Sequence, residues 1–271
     1  TINSAAVTVH WKGAQINVID TPGHIDFNIE VRRSLRVLDG AVVVFDGVAG
    51  VEPQTETNWR LADGYGVPRI AFVNKLDRVG ADMARVVAMI EERLGVRALA
   101  LQLPIGSEGA FRGVVDLLEM RALRWETDDA RQPPTIEPVP PELAQAALRA
   151  RAGLVEAVVE HDDALLAAYL EGREPTAEAL RAAIRQGVRA GAFVPVLGGS
   201  AFKNRGVEPL LDAVVDYLPA PQDLPATPGR PAADAEAPFA GLAFKLASSG
   251  HAALVFVRVY RGRLRRGDAV L

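Results

Sequence analysis

At 271 residues the chain suits one large domain or two smaller ones, and its 49% apolar content can build a sizeable core. A net charge of −4 gives the chain as a whole no electrostatic case for nucleic acid or membrane surfaces, so any RNA contact must come from a local patch. With no cysteine, disulfides, thiol nucleophiles and thiolate metal sites are excluded.

No charged-then-apolar leader and no apolar run of membrane-spanning length occurs, so a cytoplasmic protein without membrane contact is expected. The chain opens at Thr1, without an initiator methionine, as though within a pattern. Val7, Val9 and Trp11 then alternate with Thr8 and His10, and Lys12-Gly13 turns into a second strand over 15–20. A helix is predicted over about 27–38, followed by a buried apolar strand at 41–46. Pro53 starts a helix running toward Gly64 and Gly66, and 69–73 is another continuous apolar strand. A helix over about 81–94 ends at Gly95. Short apolar strands joined by crossover helices predict an α/β fold with a mostly parallel sheet and helices on both faces.

From about 98 to 190 the rhythm changes. Short strands are predicted at 98–103 and 113–117, then a polar, proline-containing loop over 127–141. One long helix is expected to carry Leu148, Val155, Val158, Val159, Leu165, Leu166 and Tyr169, with Gly172 closing it. Thr176 caps one more. This reads as an inserted α+β subdomain, because the parent pattern resumes with a strand at 193–197, a loop at 198–201 and a helix at 207–218. Pro219, Pro221, Pro225, Pro228, Pro231 and Pro238 mark a linker. Residues 239–271 alternate around Gly250 and Gly262 like antiparallel strands, the start of a β-barrel domain. The expected organisation is therefore 1–97 and 191–218 as the α/β core, 98–190 inserted, 219–238 linking, and 239–271 opening a second domain.

Two strand-end motifs carry the chemistry. Asn74-Lys75-Leu76-Asp77 has the pattern of a guanine-reading motif. An aspartate can accept two hydrogen bonds at once, from the ring N–H and the exocyclic amine of guanine, and adenine lacks that donor pair. The asparagine amide can bond the base edge and a neighbouring loop, while the lysine stem can lie over the purine. About fifty residues earlier stands Asp20-Thr21-Pro22-Gly23-His24, and the pairing is far more specific than either motif alone. His10, His161 and His251 have no partner pattern and read as structural or exposed. Arg32, Arg33 and Arg36 could meet RNA phosphates, but a solvated charged face explains them equally well.

Several longer strings closely resemble the elongation factor G family of ribosomal translocases. They are Asp20-Thr21-Pro22-Gly23-His24-Ile25-Asp26-Phe27, Arg36-Val37-Leu38-Asp39-Gly40-Ala41, Gly50-Val51-Glu52-Pro53-Gln54-Thr55-Glu56-Thr57, Phe72-Val73-Asn74-Lys75-Leu76-Asp77, Gln102-Leu103-Pro104-Ile105-Gly106 and Leu211-Asp212-Ala213-Val214-Val215-Asp216-Tyr217-Leu218-Pro219. The resemblance implies a P-loop-NTPase-like fold and a monomeric cytoplasmic GTPase that binds the ribosome, its RNA and stalk proteins, and acts indirectly on tRNA and mRNA. By the same resemblance, Asp20 holds a water on Mg²⁺, the Gly23 N–H donates to the γ-phosphate of GTP, and His24 orients or polarises the attacking water. Ser200-Ala201 resembles the third base-contacting loop, in which a backbone N–H meets the guanine oxygen. Thr1-Ile2 resembles the end of the first switch, whose threonine hydroxyl coordinates Mg²⁺.

Two departures limit the match. No Gly-x-x-x-x-Gly-Lys-Ser/Thr phosphate loop occurs in this sequence, so residues 1–271 alone are expected to bind GTP poorly and to expose sheet edges. The early loop of the second domain also departs from the family, since Ser248-Ser249-Gly250-His251-Ala252-Ala253 lacks Gly-Arg-Leu. Other translational GTPases, such as a class-3 release factor or a ribosomal protection protein, share the plan. The long interval between Asp77 and Ser200 argues against the tRNA-delivering factor. A non-catalytic binding module is the alternative from a different class, favoured by the missing phosphate loop.

Overall fold

The computed structural model describes residues 5–21, 28–129, 131–226, 231–249 and 252–270. In chain order the first elements are β1 (Ala5–Trp11), β2 (Ala14–Asp20), α1 (Asn28–Leu35), β3 (Ala41–Asp46), α2 (Pro53–Gly64), β4 (Arg69–Asn74) and α3 (Met83–Leu94). Next come β5 (Ala98–Ala100), β6 (Gln102–Ile105), β7 (Gly113–Asp116), β8 (Arg121–Arg124) and β9 (Thr135–Pro138). The helices α4 (Pro141–Val159), α5 (Asp163–Leu170) and α6 (Ala177–Ala190) follow. The chain then forms β10 (Val194–Gly198), α7 (Val207–Tyr217), β11 (Ala240–Ser249) and β12 (Ala252–Arg261). It divides into two compact units, one of residues 1–40, 60–67 and 219–271, the other of 41–59 and 68–218.

The first unit contains two antiparallel hairpins and a short helix. Lys12 and Gly13 both take positive φ, 45° and 81°, so they close a two-residue turn whose twist suits the β1–β2 ladder. The β11–β12 hairpin pairs Ala240 with Arg261 at one end, as the alternating pattern predicts. Arg258 on β12 makes a bidentate pair with Asp39, at 2.6 and 2.7 Å, and so fixes the segment that follows α1.

The second unit is organised by a parallel sheet in the order β3-β4-β10-β5. Alternation along its central strands divides the core in two. Ile70 and Phe72 of β4 and Leu197 of β10 join Leu154, Val158, Leu180 and Ile184, so α4 and α6 contribute to one face. Ala71 and Val73, with Val194 and Val196, join Trp59, Val86 and Ile90 from α2 and α3 on the other. The expectation of an α/β sheet with helices on both faces is met. At the sheet edge it is not, because Val42 and Val44 of β3 are 37% and 58% exposed although the strand reads as buried. Among the described residues β3 has one strand neighbour, and an apolar string alone does not reveal whether both its faces are covered.

The segment over 98–190 pairs an antiparallel sheet, β6-β7-β8-β9, with helices α4 to α6. Four details differ from the sequence expectations. The strand over 98–103 is two, β5 pairing with β10 in the parallel sheet and β6 with β7 in the antiparallel one. β9 forms within the supposed loop over 127–141 and pairs with β8. The single long helix is two, because the Asp162 carboxylate accepts from Ala164 and Leu165 N–H and starts α5 anew. Leu148, placed on the core stripe by its spacing, is 60% exposed.

In α6, a Cβ at Gly187 would land on the Phe193 ring, itself 1% exposed. Gly187→Ala is therefore expected to lose about 1–3 kcal/mol to overpacking, which outweighs the roughly 1 kcal/mol that alanine gains in helix propensity. A lower urea midpoint at unchanged slope checks this, and equal or higher stability would refute the tight packing.

Candidate functional site

β4 and β10 run parallel with Phe72 opposite Leu197 and Val73 opposite Gly198, so the loops after both strands leave the same end of the sheet. Asn74 closes β4 and joins three segments. Its Oδ1 accepts from the Lys75 N–H at 2.8 Å and from the Ala201 N–H at 2.9 Å. Its main-chain oxygen accepts from the Gly47 N–H, just past β3, at 2.8 Å. The Leu76 N–H donates to the Gly199 oxygen at 3.1 Å, a second tie between the two loops. One amide side chain therefore sets the spacing of the β4 and β10 loops, the neighbour-bonding role its chemistry allows.

Lys75 takes a left-handed backbone, φ 64°, and its Nζ lies 2.6 Å from Asp46 Oδ2 at the end of β3. Asp46 Oδ1 accepts from the Val48 and Ala49 N–H groups. Burial pushes the Asp46 carboxyl up, but the Lys75 bond and these two N–H donors outweigh it and hold it below the usual value. Leu76 is buried, and Gly198 leaves room for it, since a Cβ there would meet Leu76 and Met83 side chains below 3.0 Å. The motif is thus pinned at Asn74, Lys75 and Leu76. Its last residue, Asp77, is partly exposed, and no hydrogen bond or ion pair to its carboxylate is found among the described residues.

Ser200 is fully buried and exchanges main-chain hydrogen bonds with Arg205, at 2.9 and 3.0 Å, which closes residues 200–205 into a tight loop. The structure therefore brings Asn74, Lys75, Leu76, Asp77, Ser200 and Ala201 together at one end of the sheet. Asp20 ends β2 and Thr21 follows it, both in the other unit. Thr1, Pro22, Gly23 and His24 lie outside the described residues. No group of three or more metal-ligating side chains occurs among the described residues. A single carboxylate such as Asp20 still fits Mg²⁺, which keeps most of its waters and takes phosphate oxygens rather than an all-protein cage. A cavity of about 400 Å³ beside Leu76 is lined largely by apolar side chains such as Met83, Val87, Leu103 and Pro104, with no lysine or arginine in its lining.

Sequence reasoning missed Asp46, the anchor of Lys75. No local signal marked it, because Asp46 falls opposite Asn74 only once β3 and β4 are paired.

Polar loops gathered at the carboxyl ends of parallel strands define a ligand-binding α/β domain of the doubly wound kind. Residues 1–220 match the Elongation factor Tu GTP binding domain family, and the chain belongs to that family. It is 54% identical over 284 aligned residues to Elongation factor G of Granulibacter bethesdensis and 57% identical over 276 to Elongation factor G 2 of Hahella chejuensis. In each case the alignment covers 100% of this chain and 41% of the relative. A crystal structure from Thermus thermophilus superposes with a TM-score of 0.86 at 33% identity, covering 99% of this chain and 38% of that one.

Proposed function

We propose that the protein is a translation elongation factor of the G type, which binds and hydrolyses GTP and promotes movement of tRNA and mRNA through the ribosome. The observation that carries this reading is the arrangement around Asn74: its side chain clamps the 200–205 loop, while the neighbouring Asp77 carboxylate remains available on a fixed backbone. Asp77 accepts from guanine N1–H and the 2-amino group. Asn74 holds the loop in register, and the guanine oxygen shares the Ala201 N–H that now bonds Asn74. The Lys75 stem lies along the purine while its ammonium stays near Asp46. For the phosphates, Asp20 and the Thr1 hydroxyl would hold Mg²⁺, and Thr21, Pro22 and Gly23 would serve the γ-phosphate. Bound Mg²⁺ neutralises charge on the phosphates. His24 positions the attacking water. We assign residues 98–190 as the insertion of this GTPase and 239–271 as the opening of its second domain. The partners that follow are ribosomal RNA and stalk proteins, met by a cytoplasmic monomer.

Equilibrium binding of fluorescent GDP, GTP and ATP by the natural full-length protein, with and without Mg²⁺, tests the reading, together with phosphate release on ribosomes. Guanine nucleotides are expected to bind selectively and ribosomes to accelerate release. Equal binding of ATP, or no response to ribosomes, would reject it.

A further inference from the structure

The 200–205 loop is held by a second set of contacts, from the segment that follows β8. Asp128 there meets three successive residues of the loop. Its Oδ2 accepts from Lys203 Nζ at 2.9 Å, its main-chain oxygen accepts from Asn204 Nδ2 at 2.7 Å, and its Oδ1 accepts from Arg205 Nη2 at 2.9 Å. Arg205 is 8% exposed, and its other terminal nitrogen donates to the Phe111 carbonyl. Asn204 holds a left-handed backbone, φ 52°, at the point where its side chain turns to Asp128. Asn74 and Asp128 therefore act on one short loop. The first sets where the Ala201 N–H lies relative to β4, and the second fixes the far end of the same loop. The Lys203 bond holds the Asp128 carboxyl below its usual value against a smaller opposing effect of burial, so it is ionised throughout the neutral range.

We propose that Asp128 is a positioning residue for guanine recognition, fixing from the inserted segment the loop whose backbone meets the purine. The inference rests on the GTP-binding reading above. Asp128 does not touch the base; it acts through residues 203–205. With alanine in its place, Lys203 and Arg205 lose their shared anion, only the main-chain acceptor of Asn204 remains, and the loop must be ordered when nucleotide binds, which weakens binding. A loop held less strictly also discriminates less. A backbone N–H pointed at position 6 of the purine donates to an oxygen there and is opposed by an amino group, and this preference fades as the N–H wanders.

The test compares wild type with Asp128→Ala, Lys203→Ala and the double variant in the natural full-length protein. The readouts are the dissociation rate of fluorescent GDP, the affinities for GDP and for the diphosphate of 2,6-diaminopurine riboside, and the thermal midpoint. Asp128→Ala is expected to speed GDP dissociation about fivefold and to lower the preference for GDP over the diaminopurine nucleotide by a similar factor. Lys203→Ala is expected to give part of the effect, and the double variant less than the product of the two, because they share one contact. Wild-type GDP affinity and base preference in Asp128→Ala would overturn the assignment. So would an equal loss of both nucleotides in step with a lowered thermal midpoint, the signature of a purely structural tie. If the wild-type protein itself fails to bind GDP, the underlying GTP-binding reading is what falls, and the assignment falls with it.

Discussion

Asp77→Asn is expected to move base preference from guanine to xanthine. A carboxylate accepts two hydrogen bonds from the N1–H and 2-amino donors of guanine, both charge-assisted. An amide in its place keeps one acceptor and sets an N–H donor against the 2-amino group, whereas xanthine carries an oxygen at that position and accepts it. Losing one charge-assisted bond and leaving another donor opposed weakens GDP binding by about 10²- to 10⁴-fold, with xanthosine diphosphate becoming the tighter ligand. The exchange is isosteric, and the backbone around it is held independently by Asn74, by the Lys75–Asp46 pair and by buried Leu76. The thermal midpoint should therefore stay close to that of the wild type. Affinities of the full-length variant for the two diphosphates decide the matter, and unchanged selectivity would falsify the role given to Asp77.

The second large effect is expected at His24. Replacing it with alanine is expected to slow ribosome-stimulated phosphate release by about 10²- to 10⁴-fold, the range for losing a positioned group that handles the attacking water. GTP and GDP affinity should change by no more than about twofold, because in the role proposed for it the side chain acts on the water in the transition state and not on the bound nucleotide. Single-turnover hydrolysis on ribosomes, set beside equilibrium binding, separates the two quantities. A variant that turns over at the wild-type rate, or that loses binding and turnover together, would show that His24 serves the fold or the ground state instead.

Residues 69–73 and 193–197 could be read as central strands from sequence because each is a continuous apolar run, the pattern of a strand covered on both faces. The same reasoning placed 41–46 in the interior and misjudged it. Whether β3 has a second neighbour is a matter of sheet order, and no local pattern encodes that. The acidic residues Glu160, Asp162 and Asp163 suit a helix end at the break between α4 and α5. Apolar spacing continued across them, and the cap formed by Asp162 decided against one long helix.

The candidate site divides in the same way. Asn74, Lys75 and Asp77 could be singled out because a guanine-reading motif writes its donors and acceptors in adjacent letters, whereas Ser200 and Ala201 stood out only by resemblance to the family. Their supports were not legible. Asp46 anchors Lys75 from 29 positions away in the chain, and Asp128 meets Arg205 from 77. An ion pair between distant residues has no local signature, since any aspartate on a polar loop looks like a solvated one until folding brings a cation to it. By itself the sequence determined most of the strand-and-helix order, the two strand-end motifs and the family, while β9 had no sequence signal. Only the tertiary structure decided which loops share an end of the sheet and what holds them there, because that depends on strand order and on contacts between segments far apart along the chain.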